Sequence, residues 1–157
     1  MINRSFETKY EEYASLEELS AEDRELAKAA IDAMRGSYAP YSGFNVGAAV
    51  RLESGRIVKG ANQENAAFPS GLCAERTAMF AAGANYPDDN IVAIAFCGGL
   101  KGRMTTAPAA PCGSCRQVMA QYQTKAGKPM SVIMIGATSI WKFARVDDLL
   151  PFIFDNI

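Results

Sequence analysis

Ile91-Val92-Ala93-Ile94-Ala95-Phe96-Cys97 is an unbroken apolar run lying between Asp89-Asn90 and Gly98-Gly99. A strand with one wet face alternates apolar and polar side chains, so a run with no polar position reads as a central strand covered on both sides. Before it, residues 44–51 and 57–61 are apolar runs separated by Glu53-Ser54-Gly55, the pattern of two antiparallel strands and a tight turn. After it, residues 132–135 and 141–146 read as two further strands. Helical patterns fall between these runs. Ser20 with Asp23 reads as an N-cap with an acid at the third position, and Leu26, Ala29, Ala30, Ala33 and Met34 follow at helical spacing until Gly36. Residues 73–84, rich in Ala, Met and Glu, predict a buried helix, and residues 112–122 a second one with Val118 and Met119 turned inward. Strand and helix alternate after an initial hairpin, which predicts an α/β layered sheet.

The chain has 157 residues, of which 49% are hydrophobic, enough for one domain with a full core. No linker composition divides it. Residues 1–19 are polar and mixed and read as an N-terminal arm, either frayed or forming a short leading strand, ahead of a single domain over 20–157. Sixteen basic residues balance seventeen acidic ones, and no Lys/Arg run occurs. Binding through phosphates needs a basic face, so a nucleic-acid polymer is not the expected partner and a small uncharged ligand is. No apolar stretch is long enough to cross a membrane, and residues 1–13 contain no apolar signal core. Four cysteines in such a chain suit a reducing compartment, and a cytoplasmic location is expected.

Two cysteine motifs carry the chemistry: Cys73-Ala74-Glu75 and Pro111-Cys112-Gly113-Ser114-Cys115. Each falls at a predicted helix start, where unpaired N–H groups and a partial positive charge lower thiol pKa values and steady thiolates. The chain contains no histidine, so three thiols define a zinc site whose fourth protein ligand would have to be Cys97 or a carboxylate. Cys97 reads as a core residue at a strand end. With it left out, the coordination position stays open for water and Glu75 stays free beside the metal, as a hydrolytic centre requires. Arg76 is either a surface residue or a compensating charge for the sulfurs. Taken singly, Cys73 is compatible with a core thiol and the C-x-x-C pair with a redox dithiol or a structural zinc clip. Together, C-x-E and P-C-x-x-C form the signature of zinc nucleobase deaminases.

The sequence resembles cytidine deaminases of the small homotetrameric, zinc-dependent type. The resemblance rests on Tyr41-Ser42-Gly43-Phe44-Asn45-Val46-Gly47-Ala48-Ala49, Asn62-Gln63-Glu64-Asn65-Ala66, Cys73-Ala74-Glu75-Arg76-Thr77-Ala78, Pro111-Cys112-Gly113-Ser114-Cys115-Arg116-Gln117 and Leu149-Leu150-Pro151. It covers roughly residues 20 to 154 in the family's order. It implies a three-layer α/β/α sandwich around a mixed sheet of about five strands, and a catalytic role for the domain over 20–157. It further implies one zinc ion per chain on Cys73, Cys112 and Cys115, with Glu75 as proton shuttle. Asn62 and Glu64 match positions that hold a ribose hydroxyl, Phe44 one that packs on the pyrimidine, and the backbone at Ala74 one that reads the base edge. Phe154 matches an aromatic that reaches a neighbouring subunit's site. The expected reaction is hydrolysis of cytidine and deoxycytidine to uridine and deoxyuridine with release of ammonia, in pyrimidine salvage. A deaminase of a cytosine-containing antibiotic such as blasticidin S, or a non-enzymatic zinc-stabilised binding module, is the competing expectation. About twenty residues precede the resembling part, and the chain ends soon after Phe154.

Overall fold

The computed structural model describes residues 1–155. Six strands form one mixed sheet: β1 (Glu11–Tyr13), β2 (Phe44–Leu52), β3 (Ile57–Ala61), β4 (Ile91–Leu100), β5 (Ser131–Ile135) and β6 (Ile140–Phe143). Their order is β1-β6-β5-β4-β2-β3, with β4 parallel to β5 and the other pairs antiparallel. Helix α1 (Ala21–Ala33) covers one face, and α2 (Ala74–Asn85) and α3 (Gly113–Ala126) cover the other. The expected three-layer sandwich is present with one strand more than expected.

From Ala93 onward, past an irregularity in the β2 pairing, the apolar run that suggested a central strand divides by parity. Ala93, Ala95 and Cys97 pack on the α1 side with Leu26, Ala27 and Ala30, whereas Ile94 and Phe96 pack on the α2/α3 side with Ala78, Met79 and Met119. Side chains alternate across a strand, so both periodic sets must be apolar when both faces are covered.

Glycines set how closely the layers approach. A Cβ on Gly47 would lie 2.2 Å from the Ala30 carbonyl oxygen of α1, and one on Gly60 would lie 2.3 Å from the Ala78 nitrogen of α2. Gly98-Gly99, expected to end the central strand, instead lie inside it. β4 runs on to Leu100, pairing Gly99 with Asn45 and Leu100 with Phe44. These glycines admit close neighbours: a Cβ on Gly98 would sit 2.9 Å from the Phe44 ring, and one on Gly99 would overlap the Arg103 carbonyl.

Ser20 caps α1 by accepting from Asp23 N at 3.1 Å, and Gly127, at φ 65°, closes α3 four residues beyond the expected end. β6 stops at Phe143 rather than at Val146, because the Val146 N–H turns away from the ladder and donates to Gln123 Oε1 at 2.9 Å. The sixth strand is Glu11–Tyr13, antiparallel on β6. No described helix is long and apolar enough to cross a membrane.

Candidate active site

Helices α2 and α3 lie side by side on one face of the sheet and bring their first turns to a common point. Cys73 is the N-cap of α2, Cys112 is the N-cap of α3, and Cys115 lies within the first turn of α3. Pro111 immediately precedes one cap, and the turn at Phe68–Ser70, containing Pro69, leads into the other. The three sulfurs lie within 4.8 Å of one another, with Cys73 to Cys112 at 3.9 Å and Cys112 to Cys115 at 3.4 Å. Tetrahedral bonding at a Zn–S distance of about 2.3 Å places sulfurs about 3.8 Å apart, and the observed separations bracket that figure. This donor set fits a zinc ion.

Electrostatics favour thiolate here. Cys73 is pushed down to about 5, first by hydrogen bonding from Cys115 and then by Arg76 and Cys112. Cys115 moves the other way, because it keeps its proton to donate a hydrogen bond to the Cys73 sulfur and is buried. A bound cation takes the place of these shared protons. The Arg76 guanidinium donates to Cys73 Sγ at 3.5 Å, which makes Arg76 a neighbour of the cluster rather than a free surface residue.

Cys97 lies outside the cluster. Its side chain belongs to the α1-side core, on the face of the sheet opposite α2 and α3. Burial pushes its thiol up to about 12, so it stays protonated.

A cavity of ≈ 200 Å³ opens beside the thiols, with Phe44, Asn62, Ala74, Glu75 and Cys112 among its walls. Glu75 is 5% exposed, the sole charged side chain in the buried set among the described residues, and burial raises its pKa above the ordinary carboxylate range. A buried carboxyl with a raised pKa holds a proton more readily than an exposed one, which suits it to general acid–base work. Ala74, fully buried, opens α2 and turns the unpaired N–H end of the helix toward the cavity.

A larger, open hollow of ≈ 570 Å³ adjoins this cavity, sharing Asn62 and Cys73 with it and adding Tyr41, Glu64 and Phe68. The Asn62 amide is largely occupied by its own chain. Its Oδ1 accepts from Val46 N at 2.8 Å and from Ser37 Oγ, and its Nδ2 donates to the Phe44 carbonyl at 2.8 Å. Asn62 thus pins the start of β2, where Phe44 and Val46 form the cavity wall. Glu64 accepts through Oε2 from Tyr41 N at 2.8 Å and Ser42 N at 3.2 Å, which leaves Oε1 unused by these bonds; the Ser42 side chain first, and then the Tyr41 N–H, hold its carboxyl below the usual range.

Phe154 is not brought to this cavity. It is 68% exposed, with its backbone held by Gln117, whose Nε2 donates to the Phe154 carbonyl at 2.8 Å and whose Oε1 accepts from the Phe154 N–H at 3.3 Å. Val46, Phe96, Ala109 and Ala110 also line the cavity and were not singled out as site residues. Phe96 was recoverable from strand parity, since it shares a face with Ile94. Nothing in the composition of residues 101–111 marks Ala109 and Ala110.

Fold and donor set place the chain in a class: α/β proteins with a three-thiol metal-binding cluster at paired helix N-termini. Residues 20–128 match the family described as the cytidine and deoxycytidylate deaminase zinc-binding region. A cytidine deaminase of Halalkalibacterium halodurans is 48% identical over 96 residues, covering 61% of this chain and 68% of that one. One from Sporosarcina psychrophila is 43% identical over 86 residues, covering 55% and 59%. Among solved structures, cytidine deaminase from Burkholderia pseudomallei superposes with a TM-score of 0.69 at 40% identity, over 83% of this chain and 97% of that one. The Mycobacterium tuberculosis enzyme superposes with a TM-score of 0.67 at 30% identity, over 87% and 100%. The chain belongs to the cytidine deaminase family and is a deaminase of the hydrolase class.

Proposed function

We propose that this chain binds one zinc ion through Cys73, Cys112 and Cys115 and hydrolyses cytidine and deoxycytidine to uridine and deoxyuridine, releasing ammonia. The observation that carries this reading is the burial of Glu75 directly beside three converged thiols, with its pKa raised.

Zinc, when bound, supplies a water acidified toward a pKa of about 7. Glu75 takes a proton from the attacking water and passes it to ring N3, which makes C4 electrophilic. The water oxygen bonds to C4, and Glu75 then takes the proton left on that oxygen and delivers it to the amino group as the C4–N bond breaks and the C4 carbonyl forms. Cytidine plus water thereby balances to uridine plus ammonia. Burial raises the carboxyl's affinity for a proton, which suits it to taking one from the water.

Phe44 packs against the pyrimidine, and the Ala74 backbone reads the base edge at the helix start. Asn62 has a second Nδ2 hydrogen beyond the one given to Phe44, and Glu64 has Oε1; these suit a sugar hydroxyl as acceptor and donor partner. A carboxylate at that point disfavours a 3′-phosphate by like charge, so nucleosides are preferred over nucleotides. Arg76 balances the charge of the sulfurs, which is about −1 for three thiolates and one Zn²⁺. We further assign the protein to pyrimidine salvage in the cytoplasm as a homotetramer, with Phe154 completing a neighbouring subunit's site. Its exposure and its distance from its own cavity support that last assignment.

The test follows ultraviolet absorbance and ammonia with cytidine, deoxycytidine, cytosine, cytidine monophosphate and blasticidin S, with and without a chelator. Chelator-sensitive turnover of both nucleosides is expected. Turnover of the antibiotic alone, or metallated protein that leaves every nucleoside intact, overturns the proposal.

A further inference from the structure

Both ends of the chain lie outside the matched stretch of residues 20–128, and in this structure they meet. The leading segment carries β1 along the outer edge of β6, with Glu11 opposite Lys142 and Tyr13 opposite Ile140. Tyr10 stacks on Phe143 at 5.3 Å between centroids and tilts against Trp141 at 5.5 Å, and Trp141 Nε1 donates to Glu12 Oε1 at 3.2 Å. Beyond the sheet edge the same segment reaches the C-terminal tail. Thr8 Oγ1 donates to the Asp148 carbonyl at 3.1 Å, and the Phe6 ring meets Phe152 edge-on at 6.4 Å.

The tail is tied on its other side to the first turns of α3. Arg116 donates from Nη1 to the Leu149 carbonyl at 2.9 Å and from Nε to the Pro111 carbonyl at 3.0 Å, while Gln117 brackets the Phe154 backbone. Phe152 and Phe154 are themselves mostly exposed, whereas Leu149, Leu150 and Ile153 pack against the α2/α3-side core. The tail is therefore seated from inside by these three side chains, while the position of the exposed Phe152 and Phe154 is set by the lateral contacts.

We propose that residues 6–13 form a strap that positions the C-terminal tail, and through it Phe154, for substrate binding. β1 is the anchor: three residue pairs on β6, backed by the Tyr10 stack, fix the strap to the rigid sheet. Phe6 and Thr8 are the grip on the tail. The consequence for catalysis rests on the proposed function, in which Phe154 completes a neighbouring site. Phe6 is a positioning residue, since it touches neither substrate nor thiols.

Amide hydrogen exchange of the tail, read by mass spectrometry, and steady-state kinetics with cytidine test this on the full metallated chain. Phe6→Ala is expected to speed exchange at the Phe154 amide roughly 3–10-fold, the range for losing one aromatic edge contact. The KM for cytidine should rise roughly threefold or more with kcat within about twofold, as befits lost ground-state binding. Phe6→Leu should restore most of both. Deleting residues 1–13 should loosen the tail at least as much, and deleting residues 1–4, which spares Phe6, should change neither readout. Unchanged tail exchange in Phe6→Ala overturns the strap, and so does faster exchange with an unchanged KM. The exchange readout needs no turnover, so a chain inactive on cytidine would defeat the proposed function while tail protection still decides the strap.

Discussion

Arg76 Nη2 lies 3.5 Å from Cys73 Sγ, three residues along α2 from the cysteine that caps it. The same guanidinium keeps its Nε buried and unpartnered among the described residues, so the side chain is committed to the sulfur side. A fixed positive charge beside three sulfurs helps them remain deprotonated, and that is what a metal requires. Arg76→Gln should therefore lower zinc affinity by roughly 10–100-fold, the usual cost of removing a partner of a metal ligand. Competition with a chromogenic chelator measures it, and an unchanged half-point for zinc loss would remove Arg76 from the site.

Glu75→Gln keeps the size of the side chain and removes the titrating proton. Turnover of cytidine should fall by roughly 10²–10⁴-fold, with zinc per chain unchanged. The raised pKa gives a second readout. A carboxyl whose folded pKa lies above its unfolded value favours the fold most below about 4, and that contribution is lost as pH rises through the folded pKa. The unfolding free energy of Glu75→Gln relative to wild type should accordingly improve as pH rises from about 4 through the raised value. A pH-independent difference in urea melts would mean that Glu75 is not buried as a titrating group.

The core layers were legible because the physics is local and periodic. Seven apolar residues in a row can only be covered twice, and the alternation of Ala93, Ala95 and Cys97 with Ile94 and Phe96 gives each face its set. The thiol cluster was legible for a similar reason: Pro111 and the Pro69 turn mark helix starts, and helix starts attract thiolates. Glu11-Glu12-Tyr13 was not legible as a sixth strand with certainty. Its residues are polar and largely exposed, and it is a strand only because Tyr10 and Trp141 bring it to the β6 edge. Gly98-Gly99 misled for the opposite reason. Glycine often ends a strand, yet here the approach of Phe44 and Arg103 requires it within one. The occupied hydrogen bonds of Asn62 depend on partners 16–25 residues away, which no loop pattern encodes.

Gly60 is the point where β3 meets the helix carrying Glu75. A Cβ there would come within 2.3 Å of the Ala78 nitrogen and 2.8 Å of the Ala74 carbonyl oxygen, both backbone atoms of α2. Backbone yields less readily than a side-chain tip, so the helix must shift. Gly60→Ala should cost about 1–3 kcal/mol of stability, as overpacking typically does, and should lower turnover more than zinc content. Urea unfolding and a metal assay on the same preparation measure both. Wild-type stability in this variant would show that α2 is not seated against β3 as closely as described.

Cys97 and Cys112 make the sharpest contrast, since one is almost fully buried and the other exposed, and the roles run opposite to what accessibility suggests. Cys97 faces the α1 layer, and burial keeps its thiol protonated up to about 12, so it offers the metal neither position nor charge. Cys112 caps α3 with its sulfur 3.4 Å from Cys115 and 3.9 Å from Cys73. Cys97→Ala should cost about 1–2 kcal/mol through lost packing and keep zinc per chain at the wild-type value. Cys112→Ala leaves two thiols, too few to hold the ion tightly, and should lose zinc on dialysis along with turnover. Elemental analysis of both purified variants decides between the two roles. Zinc lost from Cys97→Ala to the same degree as from Cys112→Ala would mean that a fourth sulfur closes the sphere and that the centre is structural.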